Sequence, residues 1–185
     1  MDILDKVICY AVEAHSGATR KGGNTPYIVH PLEAAAIAAT LTDDREIVAA
    51  AVLHDTVEDT DTTDRDICNR FGARVAALVA ADSENKRADV PPSQSWRIRK
   101  RETLDRLEHA TRDEQIIVLA DKLSNIRSLY RDYAATGDKV WEKFNQKDKS
   151  AHAWYYKGIA ERLPALVGTV AYKEYAELCN RVFDA

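Results

Sequence analysis

Apolar residues recur three and four positions apart along almost the whole chain, and no stretch alternates as a convincing strand would. That period is helical. It limits these 185 residues to an all-α fold, a compact multi-helix bundle, and the length suits a single domain over 1–185. The first helix is expected over Asp2–Ser16, with Ile3, Leu4, Val7, Ile8, Ala11 and Val12 on one face. GATRKGGNTPYIVHP, from Gly17 to Pro31, reads as a loop. Pro31 opens an alanine-rich helix through Leu41. Thr42 or Asp43 caps the next helix, which carries REIVAAAVL. Two short helices, Asp64–Phe71 and Ala73–Asp82, meet at Gly72. Ser83–Gln94 is expected as a loop because Pro91 and Pro92 oppose a helix. Helices over Gln94–His109, Asp113–Tyr133, Lys149–Leu163 and Ala165–Phe183 complete the chain, with Pro164 at the first turn of the last.

Three cysteines, Cys9, Cys68 and Cys179, are far apart and odd in number, which argues against a disulfide framework and for a reducing compartment. The N-terminus lacks a signal-peptide pattern, and no apolar run is long enough for a bilayer, so a cytoplasmic location and no membrane partner are expected. A net charge of −4 argues against a nucleic-acid partner. An anionic ligand would need basic residues concentrated locally.

The stretch AAAVLHDTVEDTDTT, Ala49 to Thr63, runs from an apolar helix into His54, Asp55, Glu58 and Asp59. Residues three and four apart share a helix face, so His54 falls above Glu58, and Asp55 near Glu58 and Asp59. Three close carboxylates repel one another, and a divalent cation is the simplest remedy. Histidine with carboxylate suits Mn, Fe, Co, Ni or Zn better than Ca or Mg. Taken alone, the cluster is more often a solvated acidic helix end. Two other places favour the metal. His30 stands where a loop meets a helix, and Asp121 interrupts the apolar face of IIVLADKLSNIRSL, where an unpaired carboxylate would be costly.

The order H, HD, D resembles that of the HD-domain metal-dependent phosphohydrolases. The motifs AHSGATRKGGNTPYIVHP, VLHDTVEDT, FGARVAALV and LADKLSNIRSL follow the order of the hydrolase domain of the RelA/SpoT alarmone enzymes. The short length, the ENK after the third motif and the RIRKRETL helix look most like the free-standing small alarmone hydrolases. The resemblance spans about residue 4 to residue 165. It implies that His30, His54, Asp55 and Asp121 bind one divalent metal, normally Mn²⁺. It implies that Glu58 and Asp59 position and deprotonate the attacking water. Arg20, Lys21 and Asn125 match nucleotide-binding residues, and Lys86 matches a basic residue near the phosphates. The implied reaction removes the 3′-pyrophosphate of guanosine tetra- or pentaphosphate. Between Asp55 and Asp121 the only histidine is His109, which fits a single metal.

The sequence departs from the family around the nucleotide. Ala18 replaces a common glutamine, the loop at Ser83–Gln94 is longer, and Trp96 stands where a lysine is expected. These departures keep a second enzymatic reading open, an HD nucleotidase or pyrophosphatase acting on another phosphorylated nucleotide. A third, a non-catalytic nucleotide-binding module, has no need of the Glu58–Asp59 pair. His15 is either a helix-end histidine or a substrate contact. His109 and His152 read as surface residues, and Asp61 and Asp64 as helix caps. WRIRKR, Trp96 to Arg101, is a solvated basic face or a source of phosphate contacts. Trp154, Tyr155 and Ile159 read as core or interface packing residues or, second, as a base-stacking surface. The expected partner is a small-molecule nucleotide, with a homo-oligomer left open.

Overall fold

The computed structural model describes residues 2–84 and 89–184; Lys86 lies outside the described residues. The elements are α1 (Ile3–Ala14), α2 (Val29–Ala38), α3 (Arg45–Leu53), α4 (Thr56–Asp59), α5 (Asp64–Phe71), α6 (Ala73–Asp82), α7 (Pro92–Leu107), α8 (Arg112–Thr136), α9 (Lys149–Ala160) and α10 (Val170–Phe183), with 3₁₀ turns at Gly137–Lys143 and Pro164–Leu166. The described residues contain no strand; Thr19 and Pro26 form one isolated bridge within the first loop.

The longest helix, α8, organises the rest. Thr111 and Glu114 close its N-terminus as a reciprocal capping box, satisfying otherwise orphaned backbone N–H groups. Its end falls at Gly137, whose φ of 58° is costly for a residue with a Cβ. Gln115 to Asp121 are all buried, and α8 packs against α2, α3, α6 and α10. Helix α3 is apolar on every side, and Ile47 through Leu53 are all buried. These two helices carry much of the core; His54 stands at the end of α3, and Asp121, Ser124 and Asn125 lie on α8.

Several boundaries differ from expectation for local reasons. Asp44, rather than Thr42 or Asp43, caps α3, its Oδ1 accepting from Glu46 N at 2.9 Å. Thr42 instead accepts from Asp44 N at 3.1 Å. Thr63, not Asp61 or Asp64, caps α5 in a capping box with Asp66. Helix α7 begins at Pro92, within the stretch expected as a loop. Proline is acceptable there because the first helical position needs no N–H donor. The last helix begins at Val170 behind a Thr169 cap, and the chain at Pro164 makes only a short 3₁₀ turn. The 3₁₀ segment at Gly137–Lys143 was not anticipated; it buries Val140 and Trp141.

An aromatic cluster joins α7, α9 and this segment. His152 is buried, not a surface residue, with ring centroids of Trp96 and Trp141 at 5.3 and 5.2 Å and its Nε2 2.8 Å from Gln146 O. Burial pushes its pKa down. Trp96 is itself only 7% exposed, and Tyr155 and Ile159 are buried as expected. Trp154 is partly buried against the core, with the Arg97 guanidinium 3.5 Å from its ring centre. His109 is exposed, as expected.

Candidate metal centre

Helices α2, α3, α4 and α8 bring the four expected ligands together. Helix α2 begins at Val29, so His30 lies in its first turn rather than before it, and it is 4% exposed. His54 is the C-cap of α3, and Asp55 is the N-cap of the single turn α4. The helix therefore breaks between the two residues, and both side chains face the same point. Asp121 comes from the middle of α8 and is 3% exposed. His30 Nε2 lies 3.1 Å from Asp121 Oδ1, 3.4 Å from Asp55 Oδ2 and 3.2 Å from His54 Nε2. His54 Nε2 lies 3.0 Å from Asp55 Oδ2 and 3.5 Å from Asp121 Oδ1.

Hydrogen bonding fixes both imidazole tautomers. His54 Nδ1 is 2.9 Å from Ala51 O, a carbonyl, so Nδ1 carries the proton. The Ser124 hydroxyl donates to Glu33 Oε2 at 2.7 Å and must accept from His30 Nδ1, 2.8 Å away. Each neutral imidazole thus turns its Nε2 lone pair toward the other and toward two carboxylates. Four acceptors meet in a buried space with no donor among them, which is unfavourable unless a cation sits between them. Around a first-row ion with bonds of about 2.0–2.2 Å, neighbouring donor atoms are separated by roughly 3.0–3.5 Å, as these are. His30, His54 and Asp121 form a three-residue cluster suited to a metal, and Asp55 reaches both histidines of it. The set fits a divalent cation.

The same crowding appears as altered acidity. Burial alone would depress the His54 imidazole, but Asp55 and Asp121 overcome it and hold the pKa well above the usual value. Burial alone would raise Asp55, but His54 and His30 hold it well below the carboxylate range. Asp121 is held low mainly by Lys122, whose Nζ contacts Asp121 Oδ2. A proton on His54 is the substitute for a cation, and a metal would displace it.

The expected acid–base pair lies beside this centre on α4. Glu58 is half-buried, and its Oε2 accepts from Glu84 N at 3.3 Å. Asp59 is exposed, and its Oδ2 is 2.9 Å from the Tyr27 hydroxyl. That hydroxyl is also 2.6 Å from Asp55 Oδ2, so Tyr27 joins a ligand to the acidic pair. Arg20 is brought to the site as well: Nη2 donates to Asn125 Oδ1 at 2.6 Å, and Asn125 Nδ2 donates to Asp121 Oδ1 at 2.5 Å. The Arg20 guanidinium stands 5.5 Å from the centre of the Tyr27 ring. Lys21 is exposed on the same loop. His15 is buried, its ring lies tilted against that of Tyr27 with centroids 4.9 Å apart, and its Nε2 makes no hydrogen bond among the described residues. Arg99 and Lys100 are directed to Glu84, at 3.0 and 2.7 Å.

The sequence reading missed Tyr27, Ser124 and Lys122. Tyr27 lies three residues before His30. Ser124 lies three after Asp121, on the helix face that also carries Asn125, and this i, i+3, i+4 spacing was the available signal.

The HD domain family matches residues 8–149. Guanosine-3′,5′-bis(diphosphate) 3′-pyrophosphohydrolase MESH1 of Danio rerio is 36% identical over 132 residues, 70% of each chain. The guanosine-3′,5′-bis(diphosphate) 3′-pyrophosphohydrolase of Aquifex aeolicus is 40% identical over 124 residues, which are 65% of this chain but only 17% of that protein. The crystal structure of lmo0812 from Listeria monocytogenes superposes with a TM-score of 0.74 at 34% identity, covering 90% of this chain and 100% of that one. On its match to the family and its likeness to these relatives, the chain belongs to the HD-domain family.

Proposed function

We propose that this protein is a divalent-metal-dependent phosphohydrolase, with Mn²⁺ as its metal, that removes the 3′-pyrophosphate of guanosine tetra- or pentaphosphate. We take residues 1–185 as one hydrolase domain acting in the cytoplasm. The observation that carries the reading is the convergence of His30, His54, Asp55 and Asp121 next to Glu58 and Asp59. Similarity to the MESH1 and Aquifex aeolicus hydrolases supplies the substrate class.

When bound, the metal supplies a Lewis acid that neutralises phosphate oxygens and makes water more acidic. The remaining work falls to side chains of this chain. Glu58 and Asp59 orient the attacking water, and Glu58 is the candidate base that takes its proton. Tyr27 holds Asp55 and Asp59 in register through one hydroxyl. Arg20 and Asn125 contact the nucleotide, and Arg20 offers a flat cation suited to a base or a phosphate. Lys21 adds charge on the same loop, and Lys86 is assigned to the phosphates.

Trp96 gives no support to a different nucleotide. Its side chain is packed between His152 and Tyr155, so the change from the family's lysine lies in an aromatic core. The test is a panel of nucleotides with and without a 3′-pyrophosphate, incubated with Mn²⁺-loaded protein and followed by product identification. Release of pyrophosphate only from the 3′-pyrophosphorylated guanosines is expected. Equal turnover of nucleotides lacking that group would overturn the substrate assignment.

A further inference from the structure

A chain of polar contacts runs from the metal centre to the last helix. His30 Nδ1 donates to Ser124 Oγ at 2.8 Å, and Ser124 Oγ donates to Glu33 Oε2 at 2.7 Å. The other oxygen, Glu33 Oε1, accepts from Arg127 Nη1 at 3.1 Å. Arg127 also donates through Nε and Nη2 to both carboxylate oxygens of Glu174, at 2.6 and 2.7 Å. Glu33 lies on α2, Ser124 and Arg127 on α8, and Glu174 on α10. Glu174 lies beyond residues 8–149, the part of the chain that matches the HD domain family.

We propose that Ser124 and Glu33 are positioning residues for the metal ligand His30, and that Arg127 and Glu174 anchor them from the C-terminal helix. The inference rests on the metal-dependent reading above. A neutral imidazole binds a metal through one nitrogen only if its proton is kept on the other. Ser124 provides the acceptor that keeps it there, and the charge of Glu33, passed through the hydroxyl, makes the ring a stronger donor. Glu33 has no backbone clamp of its own among the described contacts. Its orientation depends on Arg127, and the forked pairing of Arg127 with Glu174 fixes that guanidinium in one plane. The C-terminal helix thus helps set the strength of a metal site to which it contributes no ligand.

The experiment measures Mn²⁺ affinity by calorimetry, together with the melting temperature of the metal-free protein, in the full chain. Ser124→Ala leaves the buried His30 N–H without its partner. It is expected to weaken Mn²⁺ binding about 10- to 100-fold, the usual effect of losing such a supporting partner. Ser124→Thr retains the hydroxyl and is expected to restore most of the affinity. Glu33→Gln and Glu174→Gln are expected to weaken binding in the same direction by smaller factors, with the metal-free melting temperature less affected than the affinity. Affinity that stays at the wild-type value in Ser124→Ala, or in Glu33→Gln should Ser124→Ala not fold, would overturn the inference. Tight Mn²⁺ binding by the wild type without alarmone hydrolysis would instead overturn the substrate reading and leave this one standing.

Discussion

The Tyr27 hydroxyl lies 2.6 Å from Asp55 Oδ2 and 2.9 Å from Asp59 Oδ2, linking a candidate metal ligand to a member of the proposed acid–base pair. Burial and the two aspartates raise its own pKa far above the ordinary tyrosine value, so it stays protonated and remains a donor. Tyr27→Phe keeps the ring on His15 and removes the donor. A hydrogen bond to a charged group contributes about 1.5–3 kcal/mol. If half of that is expressed in the transition state, kcat falls roughly 4- to 13-fold. Steady-state kinetics with a melting curve separates this from unfolding; an unchanged kcat would remove Tyr27 from the catalytic arrangement.

Glu58→Gln preserves shape and removes a base. The expected result is retained Mn²⁺ affinity with a loss of rate on the order of 10²–10⁴. Turnover near the wild-type rate would transfer the role to Asp59 or to the metal alone.

Metal binding should depend on pH in a defined direction. In the metal-free protein the pKa of His54 is raised above its ordinary 6.5 by Asp55 and Asp121, against the effect of burial. The stability this ion cluster gives the metal-free fold is fully present below the unfolded-state pKa and is lost as pH rises through the higher folded-state value. A cation must displace the same proton, so Mn²⁺ affinity rises with pH over that interval and binding releases protons. Calorimetry in two buffers of different ionisation enthalpy measures the release. Binding with no proton exchange would contradict the assignment of His54 as ligand.

The residues proposed as ligands stood out in the sequence through the family resemblance and, for three of them, through a broken local pattern. Asp121 sits in an apolar helix face, and His54 and Asp55 end one. Of the supporting groups, Ser124 and Asn125 share a helix face with Asp121, but their partners on other segments were not legible, because those contacts span long separations. His30 and Ser124 are 94 residues apart, as are Glu33 and Arg127. A single sequence offers no cue that these residues meet. Pro92 was misread because its effect on a helix depends on position: it breaks an interior and suits a first turn. His152 was misread because its neighbours in the core, Trp96 and Trp141, come from other segments.

Arg20 is a test of how an acidic protein holds an acidic nucleotide. With a net charge of −4, attraction must be local, and salt should screen it. Arg20→Ala is expected to raise KM with a smaller effect on kcat, as lost uniform binding does, and kcat/KM should fall with ionic strength. Arg20 also braces Asn125, so Arg20→Lys, which keeps the charge without the forked donor, should recover only part of KM. An unaltered KM in Arg20→Ala would remove this loop from the nucleotide site.

A metal held by His30, His54, Asp55 and Asp121 is proposed to drive removal of a 3′-pyrophosphate. The most direct measurement follows guanosine 3′,5′-bis(diphosphate) by chromatography, in parallel with wild-type protein and Asp121→Asn, each with Mn²⁺ and with chelator. Guanosine 5′-diphosphate and pyrophosphate are expected in equal amounts from wild type with Mn²⁺. No product is expected with chelator, and Asp121→Asn is expected to show both weakened metal binding and little product. Full hydrolysis in chelator, or by Asp121→Asn with Mn²⁺ affinity unchanged, would contradict the proposal.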